Sequence, residues 1–210
     1  MKRRKLILGL SATVAASSAT LGTGAFTSAQ MDRAVDIRVS DDSRSLIGLI
    51  PNEDVAGVHE DANGRLTISV SDPGINVNSI YQFGHFTEGG PDVTPGWFTM
   101  ETTENPVDNG GDDFKSAFLI ANQASGPMNV TCSLAPTSSN ADAGDTRFVF
   151  QFHGSDGKVT ELTYPDQTVA PTMELGPGDA LGVSFLVNAL EGDIGDSFSA
   201  SLRIGAGAPS

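Results

Sequence analysis

Phe148-Val149-Phe150-Gln151-Phe152-His153, closed by Gly154-Ser155-Asp156-Gly157, is the stretch on which the fold turns. Every second residue is a phenylalanine, the period of a β-strand that sets one face on a core and the other in water. The Gly-Ser-Asp-Gly tail supplies the chemistry of a tight turn. Working outward, the same alternation returns in Val35, Ile37 and Val39; in Leu66, Ile68 and Val70; in Leu181, Val183, Phe185 and Val187; and in Phe198, Ala200, Leu202 and Ile204. Turn signals separate these runs at Asn63-Gly64, Asp72-Pro73-Gly74 and Gly176-Pro177-Gly178-Asp179. No long segment shows helical periodicity. Roughly nine short antiparallel strands with frequent turns predict an all-β sandwich.

Two stretches break the rhythm. Residues 84–113 are dominated by Gly, Pro, acidic residues, Asn and Thr, and hold Trp97, the single tryptophan. A loop of that length in a compact domain is usually functional or loose. Thr137 to Asp145 forms a shorter polar linker.

The first residues mark the chain for export. Lys2-Arg3-Arg4-Lys5 is a basic head, Leu6 to Gly24 carries no charge, and small-residue pairs Ser17/Ala19 and Thr23/Ala25 suit a signal peptidase. The order predicts a signal over residues 1–25 and one β-sandwich domain over 26–210. Arg3-Arg4 also fits a twin-arginine signal, so the route to the exterior is Tat or Sec. An uncleaved anchor is the rival reading and the one way the chain would meet a membrane. The richness of Ala, Ser, Thr and Gly speaks against it.

Charge narrows the partners. The chain has 26 acidic and 12 basic residues, and four of the basic ones lie in the signal. The remainder carries 8 basic against 26 acidic residues, a net of −18, with Lys115 and Lys158 its only lysines. Such a surface repels itself in dilute buffer but is screened in molar salt, where the Debye length falls to roughly 3 Å. Adaptation to a salty exterior follows. Nucleic acid and anionic lipid are poor partners, because no basic patch can neutralise phosphates. Cys132 is the single cysteine, so no internal disulfide forms, and its apolar run Met128 to Leu134 reads as a buried strand.

The chemistry-bearing residues form no catalytic pattern. His59, His85 and His153 lie apart, without metal-ligand spacing. His153 with Ser155 and Asp156 reads as a hairpin turn, since neighbours at a tip cannot align as a triad. No Gly-x-Ser-x-Gly elbow is present, and no enzyme activity is expected. No cofactor is called for. The one cation candidate is calcium at Asp108, Asp112 and Asp113, whose Gly-rich acidic loop offers oxygen ligands but does not match an EF-hand. Solvated surface is the competing reading. Trp97 and Phe98 with Tyr81, Phe83 and Phe86 would make an aromatic platform for sugar or peptide, or would close the core beneath the loop. Asn129-Val130-Thr131 is an N-glycosylation sequon.

Several strings together resemble a family. Gly22-Thr23-Gly24-Ala25-Phe26-Thr27-Ser28, Asp32-Arg33-Ala34-Val35, and Asp41-Asp42 leading to Leu46-Ile47-Gly48-Leu49 resemble the haloarchaeal exported proteins of domain of unknown function 1102. Gly74-Ile75-Asn76-Val77-Asn78 looks like that family's next landmark. Phe118-Leu119-Ile120-Ala121-Asn122, with Gly126 and Val130, and Leu175-Gly176-Pro177-Gly178-Asp179 before Val183-Ser184-Phe185 are similar to the wider TasA/camelysin group. The likeness touches residues 22 to 204 and departs at the long stretch between Phe83 and Phe114. It implies an exported, Ig-like or jelly-roll β-sandwich of an archaeon, without enzymatic role. It further implies a fibre subunit that donates its N-terminal strand to a neighbour, so that the partner is the chain itself or another cell-surface protein. Here Phe26, Val35, Ile37 and Val39 would lie on that strand, which could equally serve as the chain's own first strand. The alternative is an extracellular ligand- or carbohydrate-binding module using the 84–113 loop.

Overall fold

The computed structural model describes residues 47–62, 66–68, 79–87, 98–107, 114–136, 147–190 and 200–207. Residues 1–25, read as a signal from their sequence, and Phe26, Val35, Ile37, Val39, Trp97, Asp108, Asp112 and Asp113 lie outside the described residues. Within these bounds the protein is all-β, with eleven strands rather than about nine and no helix. They are β1 (Ile47–Pro51), β2 (Val58–Glu60), β3 (Leu66–Ile68), β4 (Ile80–Phe83), β5 (Phe118–Asn122) and β6 (Met128–Pro136). There follow β7 (Arg147–Gly154), β8 (Val159–Tyr164), β9 (Met173–Leu175), β10 (Ala180–Asn188) and β11 (Ala200–Gly207).

All pairings between these strands are antiparallel. Six strands form the main sheet in the order β1-β5-β10-β7-β8, with β4 also on β10. β7 runs along one flank of β10 from Leu181 to Asn188, while β5 and β4 divide the other. β11-β6-β9 make a second sheet, and β2-β3 a two-stranded ribbon. One apolar cluster draws on all three. It includes Val58 and Ile68 from the ribbon, Val130, Cys132 and Leu202 from the second sheet, and Phe118, Phe148, Phe150, Phe152, Leu181, Val183, Phe185 and Val187 from the main sheet. Phe185 lies between two rings, stacked on Phe83 at 4.3 Å between centroids and on Phe150 at 5.5 Å.

The phenylalanine alternation of β7 therefore faces the core as its spacing predicts. Its other face does not meet water. Val149, Gln151 and His153 are only 0, 1 and 2 % exposed, and Ser184 and Leu186 of β10 are buried beside them. What covers this face is the stretch expected to be a loop. Phe86 is fully buried against Val149 and Leu186, with Phe98 and Met100 packed on the same cluster. The covering chain bridges back to itself, Phe86 to Thr102, and Phe86 N–H donates to the Glu101 carbonyl at 3.0 Å. Gly84 (φ +73°) marks the crossing between layers. A Cβ there would run into the backbone nitrogen of Ala117 and Ser184 Oγ.

Both predicted turns for which residues are described close as read. Gly154 to Gly157 joins β7 to β8, with Gly157 N–H on the Gly154 carbonyl at 3.0 Å. In Gly176-Pro177-Gly178-Asp179, Asp179 N–H reaches the Gly176 carbonyl at 3.1 Å, and Gly178 takes φ +80°. Proline second and a positive-φ glycine third define a type II turn.

That turn is locked to the end of β5. Asn122 is 1 % exposed, and its Nδ2 donates to the carbonyls of Gly126 (2.9 Å), Leu175 (3.0 Å) and Gly176 (3.0 Å). Its Oδ1 accepts from Ala124 N–H at 2.9 Å. Its backbone N–H donates to the Asp179 carbonyl and its carbonyl accepts from Gly178 N–H, at 2.9 and 3.0 Å. The Phe118–Asn122 strand end and the Pro-Gly turn, separate strings in the sequence, are one joint.

Cys132 is a free, fully buried thiol opposite Ile204. Burial pushes its pKa up to about 12, so little thiolate exists at neutral pH. A thiol reagent is expected to leave the native protein unlabelled for as long as it stays folded and to label one site in denaturant. Fast stoichiometric labelling of the native state would contradict this placement.

Candidate functional site

A cleft with several ionisable groups lies where the covering chain meets the main sheet. It holds about 300 Å³ and is lined by Asn52 and the turn after it, by Gln82, Gly84 and His85, by Glu101, and by Phe114 with Lys115. Two amide side chains build its frame. Asn52, buried after β1, donates from Nδ2 to the Phe114 and Ser116 carbonyls at 2.8 and 3.0 Å, and its Oδ1 accepts from Asp54 N–H at 3.1 Å. Gln82 clamps the backbone of Glu101. Its Nε2 donates to the Glu101 carbonyl at 2.7 Å, and its Oε1 accepts from Glu101 N–H at 3.0 Å. The same Nε2 donates to the Gly84 carbonyl at 2.9 Å.

His85 is pinned through its backbone, its N–H donating to the Lys115 carbonyl at 2.7 Å and its carbonyl accepting from Ser184 Oγ at 2.7 Å. Its Nε2 stands 3.4 Å from Glu101 Oε2. The cleft thus presents Asp54, Glu101, His85 and Lys115 on a fixed frame. Such a set can bind a small polar molecule through charge and hydrogen bonds. No group of three His, Cys, Asp or Glu able to hold a metal ion occurs among the described residues.

The sequence candidates are dispersed. Asp108, Asp112 and Asp113, the calcium loop, lie outside the described residues. The five-ring platform does not exist as a unit. Phe83 is in the main core with Tyr81 packed on it, whereas Phe86 and Phe98 belong to the opposite face, and Trp97 is not described. Alternation along β4 and the crossing at Gly84 send the rings to different layers. His59 is exposed on the ribbon. His153 is not at the hairpin tip but pairs with Val159 inside β7, buried, while Ser155 and Asp156 lie in the turn. The three do not align as a triad.

Asn129 is half-buried on β6, opposite Gly207 and Glu174, on the face away from buried Val130. The sequon's Thr131 Oγ1 lies 3.4 Å from Thr172 Oγ1.

β11 pairs with β6 on one side over all eight of its residues, and no described strand pairs with its other side. β6 is hydrogen-bonded on both sides, since the 168–175 chain runs along its second flank. Its own missing partner makes β11 the long edge of the second sheet among the described residues. Comparison with protein-family models, curated proteins and solved structures finds no match to this chain.

Proposed function

We propose that this is a non-catalytic, secreted or cell-surface β-sandwich that works in structure or adhesion, as a fibre subunit that accepts the N-terminal strand of another copy. The observation that carries the reading is the one-sided pairing of β11 over Ala200–Gly207 among the described residues. An edge of that length offers a row of main-chain donors and acceptors that an extended segment satisfies by β-augmentation. Residues 26–39, alternating at Val35, Ile37 and Val39, are the donor. The basic head and uncharged run before them support export by a Tat or Sec route. The charge balance supports a saline exterior. A labelled peptide of residues 26–39, added in molar salt to protein lacking that segment, is expected to bind saturably at one site. Absence of binding at high micromolar peptide would rule out the edge as its acceptor.

The cleft favours a second reading, a module that binds a small polar ligand or carbohydrate through the 84–113 region. His85 and Glu101 belong to that region and face Asp54 and Lys115. Deleting the whole region is no test of this, because Phe86 and Val107 are buried parts of the fold. Exchanging Glu101 for Gln, and His85 for Gln, changes the cleft's charge while leaving those residues in place. Loss of binding in these variants, with unchanged melting, would favour the module.

A further inference from the structure

We infer that His153 is an acid-operated catch beneath the chain that covers the outer face of the main sheet: protonation of its ring releases that cover before the core unfolds. The imidazole is 2 % exposed, and neither Nδ1 nor Nε2 has a hydrogen-bond partner among the described residues. It stands beside Gly182 in register, and Gly182 is roofed so closely that a Cβ there would strike Ser116 Oγ and Val107 Cγ2. Gln151, two residues before it on the same face, ties down the cover. Its Oε1 accepts from Thr87 N–H at 2.9 Å, and its Nε2 donates to Glu161 Oε1 at 2.8 Å. Among the described residues, the elements packed at this face carry Arg147 on β7, Glu161 on β8, and His85, Glu101, Glu104 and Lys115 on or beside the covering chain, while β5 and β10 carry no ionisable side chain.

A buried ring without an acceptor cannot carry a proton cheaply, because desolvation disfavours the cation and no hydrogen-bond acceptor among the described residues repays the cost. Burial lowers the pKa from 6.5 to about 4. In the opened form the ring meets water and regains its ordinary range, so the opened form takes the proton first. Closure is at full strength above about pH 6.5 and is lost as pH falls toward about 4. The cover is the weaker of the two layers on this sheet. Among the described residues its apolar cluster is Phe86, Val149 and Leu186 with Ile80, Phe98 and Met100 packed on them, against a cluster of more than twenty buried residues on the other face. Local opening is therefore the less costly way to hydrate His153, and it uncovers Val149 and Leu186.

Hydrogen exchange tests this on the full chain in molar salt. Protection factors, corrected for intrinsic pH dependence, are read at the amides of Phe86, Thr103 and Lys115, which hold the cover, and at β7 and β10 amides. Between pH 7 and 4.5 the cover's protection is expected to fall roughly fiftyfold, one proton being taken up on opening, while β7 and β10 hold. His153→Met and His153→Gln are expected to flatten the pH dependence. Equal acid sensitivity in wild type and whichever variant folds, or loss of protection in cover and core together, would overturn the inference.

Discussion

Replacing Asn122 with alanine is expected to lower stability by about 3 kcal/mol, because one side chain closes four hydrogen bonds at the β5–turn joint. Each bond is worth about 1 kcal/mol net, and its loss inside the fold leaves carbonyls of Leu175 and Gly176 short of a donor. For a domain of this size the melting temperature should fall by roughly 10 °C. Asn122→Asp is the sharper test. It keeps an acceptor for Ala124 N–H but turns a donor into an oxygen facing three carbonyls. The new carboxyl would be driven toward its protonated form in the folded state. The variant should therefore be least stable at neutral pH and recover on acidification. Chemical denaturation at several pH values reads both effects. A loss below 1 kcal/mol in Asn122→Ala would mean that the joint is held by its backbone bonds alone.

Phe185→Ala should cost about 4 kcal/mol, within the range for truncating a buried aromatic. Phe185 is 1 % exposed and stacks between Phe83 and Phe150, so its removal opens a cavity at the centre of the main sheet. Phe83 meets it with planes 9° apart. A double-mutant cycle between Phe83→Leu and Phe185→Leu is expected to show coupling of about 1 kcal/mol. Denaturant unfolding gives both numbers. Additive losses would show that the rings fill space without interacting specifically.

The core face of the main sheet was readable from residues alone. Phe148, Phe150 and Phe152, and Leu181 through Val187, announce it by alternation, and the turns at 154–157 and 176–179 by their glycines. The second buried face was not, because a period-two pattern says which side is apolar and leaves the other side's neighbours unspecified. A signal for it was present. In a chain with 26 acidic residues, the outward positions of β7 and β10 beyond the exposed Arg147 at the start of β7 include Val149, Gln151, His153, Gly182, Ser184 and Leu186, without one acid. Strands covered on both faces read that way. The cleft was illegible for a different reason. Its walls come from Asn52 and the turn after it, Gln82, Gly84, His85, Glu101, Phe114 and Lys115, and its frame depends on which backbone groups Asn52 and Gln82 reach, which spacing does not encode. The joint at Asn122 likewise unites positions more than fifty residues apart.

Assembly by strand donation, proposed above, is put to the test by electron microscopy and light scattering at rising concentration in molar salt. Protein of residues 26–210 is set against protein of residues 40–210. Filaments are expected from the first and none from the second, with the second still folded. A compact monomer at every concentration from both would contradict it.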